Sequence, residues 1–289
     1  MRVLQVNTTE MATKILQNTI RWAASRAARS YAASSLEDAR RICLDLRRDG
    51  FGASLCFWNS ESDGSSEITS ACFQLLDLLE TLDAQAYLSI KLPGMRFDEA
   101  AVFQVLTEAA RRGRCVHFDS HAPEDADRTF QIIESGLRLH PNLSCTIPGR
   151  WTRSIVDARL AAEWGLRVRV VKGQWADPAD PHMDMSRGFL NVVDELAGRG
   201  RFVAIASHDV PLARASLLRL MRAGTPCELE LLYGLPWRAP VQMARELGVP
   251  VRFYVPQGKA WLPYLLKNAR NNPRVLGWFA RDLIRGYTA

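Results

Sequence analysis

Residues 250–271, PVRFYVPQGKAWLPYLLKNARN, contain one complete unit of a strand, a turn and a helix. The apolar run 251–255 predicts the strand, and Pro256 and Gly258 predict the turn that ends it. In the predicted helix, polar residues recur at i, i+3, i+4 and i+7 and share one face: Tyr264, Lys267, Asn268 and Asn271. Helix geometry alone favours a solvated face, so the ends of the upstream strands must decide whether this face belongs to a site.

The same unit recurs along the chain, because apolar runs alternate with amphipathic helical stretches roughly every 25 to 30 residues. Pro or Gly stands at the joints. Eight strands that each precede a helix predict an α/β fold, a parallel (β/α)8 TIM-type barrel with N-terminal helices packed outside. The predicted strands are 53–58, 86–91, 114–119, 142–147, 166–172, 202–206, 227–232 and 250–255.

We divide the chain into an N-terminal helical arm, residues 1–35, and a single barrel domain, residues 36–289. The total of 289 residues suits one such barrel. Residues 11–35 lack acids and are amphipathic, as in a transit peptide. They continue without a break into a helix with Ser35 at its N-cap, so we expect them to pack around the barrel entrance.

Composition excludes several classes of protein. No run of 18 apolar residues exists, so no transmembrane segment is expected, and peripheral contact with a membrane stays open. The net charge of +6 comes from Arg mixed with Asp and Glu, without a nucleic-acid motif, so we expect no nucleic-acid partner. The six scattered Cys have no metal-ligand spacing, which predicts reduced thiols, no metal site and a cytoplasmic location.

Catalytic residues of such barrels gather at the carboxyl ends of the strands. Polar or charged residues end nearly every predicted strand here, which a random set of surface loops explains poorly. Lys91 and Asp119 are expected to form an ion pair that orients a substrate. The ends in order are Asn59, Lys91, Asp119, Thr146, Lys172, Ser207–His208, Leu232–Tyr233 and Tyr254.

The fifth strand carries three cations, Arg167, Arg169 and Lys172, where a barrel strand is usually apolar. Alternation places Arg169 and Lys172 on opposite faces unless the strand bends near Gly173. Two cations beside a glycine suit a phosphate or an electron-rich ring, and a strand-end Lys also suits a Schiff base. His208 is either a proton shuttle, a phosphate donor or a structural residue.

Six stretches, LSIKLPG, VHFDS, VRVVKGQW, IASHD, ELELLYG and FYVPQGKAWLPYLLKN, resemble the proline dehydrogenases in order and spacing over roughly residues 20–275. The resemblance implies that the (β/α)8 barrel is distorted, with FAD across the strand ends and hydride transfer to flavin N5. It implies catalytic roles for Lys91, Asp119 and Arg169. It implies flavin contacts by Thr146, Arg169, Lys172, Gly173, Gln174, Trp175, Ser207 and His208. It implies substrate contacts by Lys91, Leu232, Tyr254, Tyr264, Lys267 and Asn268.

The chain departs from the family pattern in its last helix. The family presents two adjacent Arg and a Glu three residues later, and here Lys267, Asn268 and Asn271 occupy those positions. Each lost charge-assisted hydrogen bond is worth about 1.5–3 kcal/mol, so proline affinity is expected to fall by at least roughly ten- to a hundredfold unless Lys267 compensates. Thr146 replaces a flavin-contacting Gln, Gln174–Trp175 replace an Ala-Tyr pair, and Trp58–Asn59–Ser60 replace a Leu-Gly-Glu strand end.

These observations favour an FAD-dependent oxidoreductase of the proline dehydrogenase type. It would transfer hydride to flavin N5 from a carbon next to nitrogen in an amine or amine-like substrate other than free proline. Ordinary L-proline dehydrogenase, forming 1-pyrroline-5-carboxylate, is the main alternative. A Schiff-base aldolase or lyase and a non-catalytic binding protein are further alternatives. The electron acceptor, whether a quinone, oxygen or a redox protein, does not follow from the residues.

Overall fold

The structure, a computed structural model, describes residues 33–258. Eight strands agree with the predicted strands to within two residues at each end. They are β1 Gly52–Phe57, β2 Tyr87–Ile90, β3 Val116–Phe118, β4 Leu143–Pro148, β5 Arg167–Val171, β6 Phe202–Ala206, β7 Cys227–Leu232 and β8 Val251–Gln257.

Helices alternate with these strands. They are α1 Leu36–Arg48, α2 Ser65–Glu80, α3 Glu99–Arg111, α4 Ala126–Leu137, α5 Ser154–Glu163, α6 Met185–Leu196, α7 Val210–Arg222 and α8 Arg238–Glu246, with a 3-10 turn at Pro123–Asp125. Within residues 33–258, none of them is long and apolar enough to cross a membrane.

The strands form a closed barrel in sequence order, with every neighbouring pair parallel. The closure joins β1 to β8 in a continuous register from Gly52 opposite Arg252 to Phe57 opposite Gln257. The predicted (β/α)8 barrel is therefore confirmed. The predicted arm lies outside the described residues except for its last three, where the carbonyl of Ala33 accepts a hydrogen bond from the Gly258 amide at 3.0 Å.

Helix α1 shows why the local sequence folds as it does. The Ser35 hydroxyl accepts a hydrogen bond from the Asp38 amide at 3.1 Å, which confirms the predicted N-cap. Its buried residues follow the helical period on the side that faces the barrel. They are Ala39, Ile42, Cys43 and Leu46. All six cysteines are free thiols, as predicted, and four of them are buried.

Most barrel strands are apolar on the outward face and carry polar residues on the inward face, whereas β6 has Ala204 and Ala206 on its inward face. The outward face packs against the helices with buried aliphatic residues such as Leu55, Val168 and Leu229. The inward face carries buried polar residues that meet across the lumen, since Glu230 of β7 bonds to side chains of β1, β2 and β5. The expectation of an apolar barrel strand therefore holds for the outward face of the strands and not for the inward face of most of them.

At the lower end of the lumen, Glu228 of β7 holds two arginines. It accepts hydrogen bonds from Arg252 Nε at 2.7 Å and from Arg167. The Nη1 atom of Arg252 donates to the backbone carbonyls of Ala53 and Gln85 at 2.8 and 2.9 Å. The buried charges are thus paired and hydrogen-bonded, which a charge in a low-dielectric interior requires.

Two glycines bring the loop after β4 against helix α6. A Cβ built on Gly188, inside α6, would overlap the carbonyl oxygen of Gly149, and one built on Gly149 would overlap the backbone of Phe189. Glycine is unfavourable in a helix interior by about 1 kcal/mol relative to alanine. This close backbone approach explains why the helix nonetheless contains it.

Replacing Gly188 by alanine is expected to lower the free energy of unfolding by at least about 2 kcal/mol, although the change raises helix propensity, because backbone must move to admit the methyl group. Urea denaturation measures the difference. Gly136→Ala in α4 is the matched control, since its methyl group would meet only the side-chain tips of Leu106 and Leu143 at 2.7 and 3.4 Å. A Gly188→Ala protein as stable as the control would contradict this account.

Candidate active site at the barrel mouth

Three side chains form a closed triangle at the carboxyl ends of the strands. Lys91 follows β2, Asp119 follows β3, and Tyr254 lies in β8. Lys91 Nζ donates to the Tyr254 hydroxyl at 3.0 Å, and that hydroxyl donates to Asp119 Oδ2 at 2.8 Å. Lys91 Nζ lies 3.4 Å from the same carboxylate oxygen, so the expected ion pair is present.

Residues at the end of β1 cover this triangle. Trp58 Nε1 donates to the Tyr254 hydroxyl at 3.0 Å, and Lys91 Nζ lies 4.6 Å from the centre of the Trp58 ring, in cation–π distance. Lys91 also donates to Cys56 Sγ at 3.3 Å. The Tyr254 hydroxyl therefore accepts two hydrogen bonds and donates one, which is its full capacity.

Arg169 of β5 joins the triangle to the barrel interior. Its Nη1 donates to Asp119 Oδ1 at 2.5 Å. Its Nε and Nη2 donate to the two oxygens of Glu230 at 2.8 and 2.7 Å, and Nη2 also donates to the Tyr87 hydroxyl at 3.1 Å. The guanidinium thus lies between two carboxylates and is only 4% exposed.

These neighbours fix the protonation states of the triangle. Burial alone would raise the pKa of Asp119, but Lys91 and Arg169 outweigh it and hold that pKa well below its usual range. Burial would lower the pKa of Lys91, and Cys56 and Asp119 instead raise it. Burial and Asp119 raise the pKa of Tyr254 well above its usual value. At neutral pH the site contains an ammonium, a carboxylate and a phenol.

His117 lies in β3, two residues before Asp119, and its side chain is fully buried. Its Nδ1 lies 2.6 Å from the Ser144 hydroxyl and its Nε2 lies 2.7 Å from the Thr146 hydroxyl. Burial, followed by the charge of Arg169, lowers the pKa of His117 to about 4. The imidazole is therefore neutral at pH 7, and the Thr146 hydroxyl is bonded to it.

The low pKa of His117 predicts a loss of stability in mild acid. The unfolded chain takes up a proton with a pKa of about 6.5, whereas the folded chain does so only near 4, so the contribution is present above pH 6.5 and is lost as pH falls toward 4. Between pH 7 and pH 5 this amounts to about 2 kcal/mol.

His117→Gln is expected to remove that part of the pH dependence. Urea denaturation of both proteins at pH 7 and pH 5 gives the difference, and other histidines contribute equally to both. An equal decrease in the free energy of unfolding of both proteins between pH 7 and pH 5 would contradict a lowered pKa of His117 in the folded protein.

The cofactor-side residues predicted after β5 occupy a separate environment from Arg169. Lys172 Nζ pairs with Asp209 Oδ2 at 2.8 Å, with 36% of the Lys172 side chain exposed, and no contact joins it to Arg169 among residues 33–258. Gly173 turns the chain with φ +93°, and a Cβ there would lie 2.8 Å from Arg150 Cγ. Arg150 donates to the carbonyl of the exposed Gln174 at 3.2 Å.

Trp175, in the loop between β5 and α6, contacts the loop that follows β3. Its ring stacks on the His121 ring with centroids 4.3 Å apart and an interplanar angle of 31°. Its carbonyl accepts a hydrogen bond from Trp151 Nε1 at 3.0 Å. The two loops therefore meet above β4, beside the triangle rather than within it.

Ser207 and His208 follow β6 and have mainly backbone partners. The Ser207 hydroxyl accepts a hydrogen bond from the Asp209 amide at 3.1 Å. His208 Nδ1 lies 2.9 Å from the Pro236 carbonyl, and His208 Nε2 accepts from the Leu232 amide at 3.0 Å. Both ring nitrogens are occupied, so this arrangement leaves neither one for a proton shuttle. Contacts of Ser207, His208 and Leu232 with a cofactor or substrate remain predictions.

Three predicted substrate residues, Tyr264, Lys267 and Asn268, lie outside the described residues. The structure brings together Lys91, Asp119, Arg169 and Tyr254, and it adds residues that the sequence analysis did not select: Cys56, Tyr87, His117 and Glu230. The missed signal was alternation, because ELELL places Glu228 and Glu230 on one face as RVR places Arg167 and Arg169. Among residues 33–258, no cluster of ligand-type side chains could hold a metal ion.

Comparison with known proteins gives consistent relatives. The chain is 23% identical to the proline dehydrogenase of Deinococcus radiodurans over 282 residues, 90% of either chain. It is 20% identical to proline dehydrogenase 1 of Bacillus subtilis over 275 residues, 90% of this chain and 91% of the relative. The chain is a relative of the proline dehydrogenases. No protein-family model matches it.

Solved structures share the fold. Proline utilization A of Bdellovibrio bacteriovorus, inactivated by N-propargylglycine, superposes with a TM-score of 0.75 at 14% identity over 88% of this chain. Proline utilization A of Corynebacterium freiburgense gives 0.67 at 18% identity over 95%. The chain spans only about a third of the length of these larger proteins, 33% and 34% respectively. The resemblance to proline dehydrogenases expected from the sequence is thereby confirmed.

Proposed function

We propose that the chain is an FAD-dependent oxidoreductase that acts on the CH–NH bond of a small secondary amine, with L-proline as the leading candidate. The observation that carries the proposal is the Lys91–Asp119–Tyr254 triangle, joined to Arg169 at the mouth of the barrel. The names of both curated relatives favour proline over the different amine that the sequence analysis preferred.

A different amine remains the second candidate because of the Lys267–Asn268 pair. An ammonium and an amide cannot replace the planar fork of an arginine on a substrate carboxylate. A substrate without a carboxylate would not need that fork. A comparison of kcat/KM for L-proline and for its decarboxylated analogue pyrrolidine separates the two candidates. A proline dehydrogenase should prefer L-proline, which carries the carboxylate.

The described residues fit a flavin in part. Lys172, beside the left-handed turn at Gly173, and Arg150 would offer cations to a pyrophosphate. For Lys172 to do so, its ion pair with Asp209 would have to open. The bound flavin would supply the hydride acceptor. Lys91, Asp119 and Arg169 would then fix the charges around the substrate, while Trp58 and Tyr254 would exclude water from it.

The Schiff-base alternative is less well supported by this geometry. A nucleophilic lysine needs a lowered pKa, and Lys91 has a raised one because of Cys56 and Asp119 despite its burial. Lys172 is ion-paired with Asp209. Borohydride with a carbonyl ligand should therefore trap no adduct on either lysine.

The pH dependence of turnover should follow the substrate rather than the protein. Asp119 stays ionised and Lys91 and Tyr254 stay protonated between pH 7 and pH 9, and His117 stays neutral. Hydride transfer requires the neutral amine, whose pKa is about 10, so kcat/KM should rise roughly tenfold per pH unit over this range. A plateau beginning near pH 7 in steady-state assays would mean that another group limits the reaction.

Asp119→Asn is expected to reduce kcat/KM by at least roughly a hundredfold, because it removes the carboxylate that Lys91, Arg169 and Tyr254 share. Anaerobic bleaching of the visible flavin spectrum by L-proline measures the reductive half-reaction directly. Glu108→Gln, which breaks an ion pair with Arg111 on the outside of the barrel, is the control and should behave as the unaltered protein. A colourless protein with no affinity for FAD would refute the proposed function.

A further inference from the structure

Glu230 makes a complete set of hydrogen bonds inside the barrel. It is 2% exposed and belongs to β7. Its two oxygens accept from Arg169 Nε and Nη2, from the Ser54 hydroxyl at 2.7 Å, and from the Tyr87 hydroxyl at 3.0 Å. Four donors on three strands therefore converge on one buried carboxylate. A buried carboxylate is costly unless it is paired and hydrogen-bonded, and these four donors meet that requirement.

The geometry shows what Arg169 gains from this carboxylate. A guanidinium presents its five N–H groups in a rigid planar fork. Glu230 occupies the Nε–Nη2 edge in a bidentate arrangement, so that only Nη1 reaches Asp119. If that edge were not occupied, Arg169 could take both oxygens of Asp119. Arg169 would then compete with Lys91 and Tyr254 for the Asp119 oxygen that they share.

The balance of charges at the barrel mouth also indicates a role for Glu230. Lys91 and Arg169 carry two positive charges at the mouth, and Asp119 and Glu230 carry two negative charges. Removing Glu230 leaves one buried positive charge without compensation. Like charges disfavour each other at short range, so the Lys91 ammonium would lose stability.

We propose that Glu230 is a positioning residue for the reaction: by holding the Nε–Nη2 edge of Arg169, it keeps Asp119 available to Lys91 and Tyr254. Its kinetic consequence rests on the proposed function, whereas the effect on the charge of Lys91 does not. Glu230 touches Arg169, Tyr87 and Ser54 and acts through Arg169.

Residue Glu228 supplies a matched control. It lies two residues earlier on the same strand and the same face, is equally buried, and also binds arginines, Arg252 and Arg167. Glu228→Gln therefore removes a buried charge of the same kind at the other end of the lumen. A purely structural role predicts that Glu230→Gln and Glu228→Gln have the same consequences.

The first measurement needs no flavin and no turnover. Acetylation of Lys91 as a function of pH, followed by mass spectrometry of the full chain after digestion, reports the acidity of its ammonium. We expect Lys91 to become at least tenfold more acidic in Glu230→Gln and to be unchanged in Glu228→Gln. Equal acidity in the two variants would overturn the proposal.

The second measurement is turnover of L-proline per bound flavin. We expect kcat to fall at least tenfold in Glu230→Gln with a smaller change in KM, and both constants to stay within about twofold in Glu228→Gln. Equal kcat in the two variants would also count against the positioning role. If the unaltered protein oxidises no amine, the proposed function fails, and the acidity of Lys91 alone decides this inference.

A milder variant covers the case in which Glu230→Gln does not fold. Tyr87→Phe removes the hydroxyl that accepts from Arg169 and donates to Glu230, without removing a charge. We expect the same direction of change in Lys91 acidity and in kcat, with a smaller size. No change in either quantity would contradict the proposed link between Glu230 and Arg169.

Discussion

The pairing of Arg169 with Asp119 on one side and Glu230 on the other is the constraint on which the barrel mouth depends. A guanidinium at 4% exposure is tolerable only because both of its edges meet carboxylates. The same pairing fixes where the Asp119 carboxylate points. Lys91 and Tyr254, on strands that are not neighbours of β5, can then meet at that carboxylate.

The polar lumen has a further consequence for the fold. An apolar lumen would gain stability from burial alone, but it would not select one arrangement of charges. Here the Glu228–Arg252 pair lies below the Glu230–Arg169 pair, and their glutamates are neighbours on the inward face of β7. The ring centroid of Tyr87 lies 4.8 Å from the Arg252 guanidinium. Each pair forms only when its strands are in the native register, because the arginine and the glutamate of a pair belong to different strands.

Much of the fold was predictable from sequence because strand and helix periods are local signals. Alternating apolar runs, Pro and Gly at the joints and the Ser35 cap are all visible without tertiary information. The Lys91–Asp119 ion pair was predictable because parallel strands bring their carboxyl ends together. The partners of Arg169 were not, since pairing Glu230 with it requires knowing that inward side chains of β5 and β7, on either side of β6, meet at one level of the lumen. The contact between Gly149 and Gly188 was not predictable either, because these residues are far apart in sequence and meet only in the folded chain.

The hydrogen bonds within the Lys91–Asp119–Tyr254 triangle limit what the triangle can offer a substrate. The Tyr254 hydroxyl has no capacity left, and Lys91 donates to Tyr254 and Cys56 while it faces Asp119. The triangle therefore offers a ligand an electrostatic environment and aromatic edges, but no unused hydroxyl on Tyr254. Strand β8 ends at Gln257, on the same side of the barrel as this triangle, and the chain continues from there into the sequence that contains Lys267 and Asn268. A substrate carboxylate needs donors that are not already bonded, and the Tyr254 hydroxyl supplies none. The contact of Lys267 and Asn268 with such a carboxylate stays a prediction.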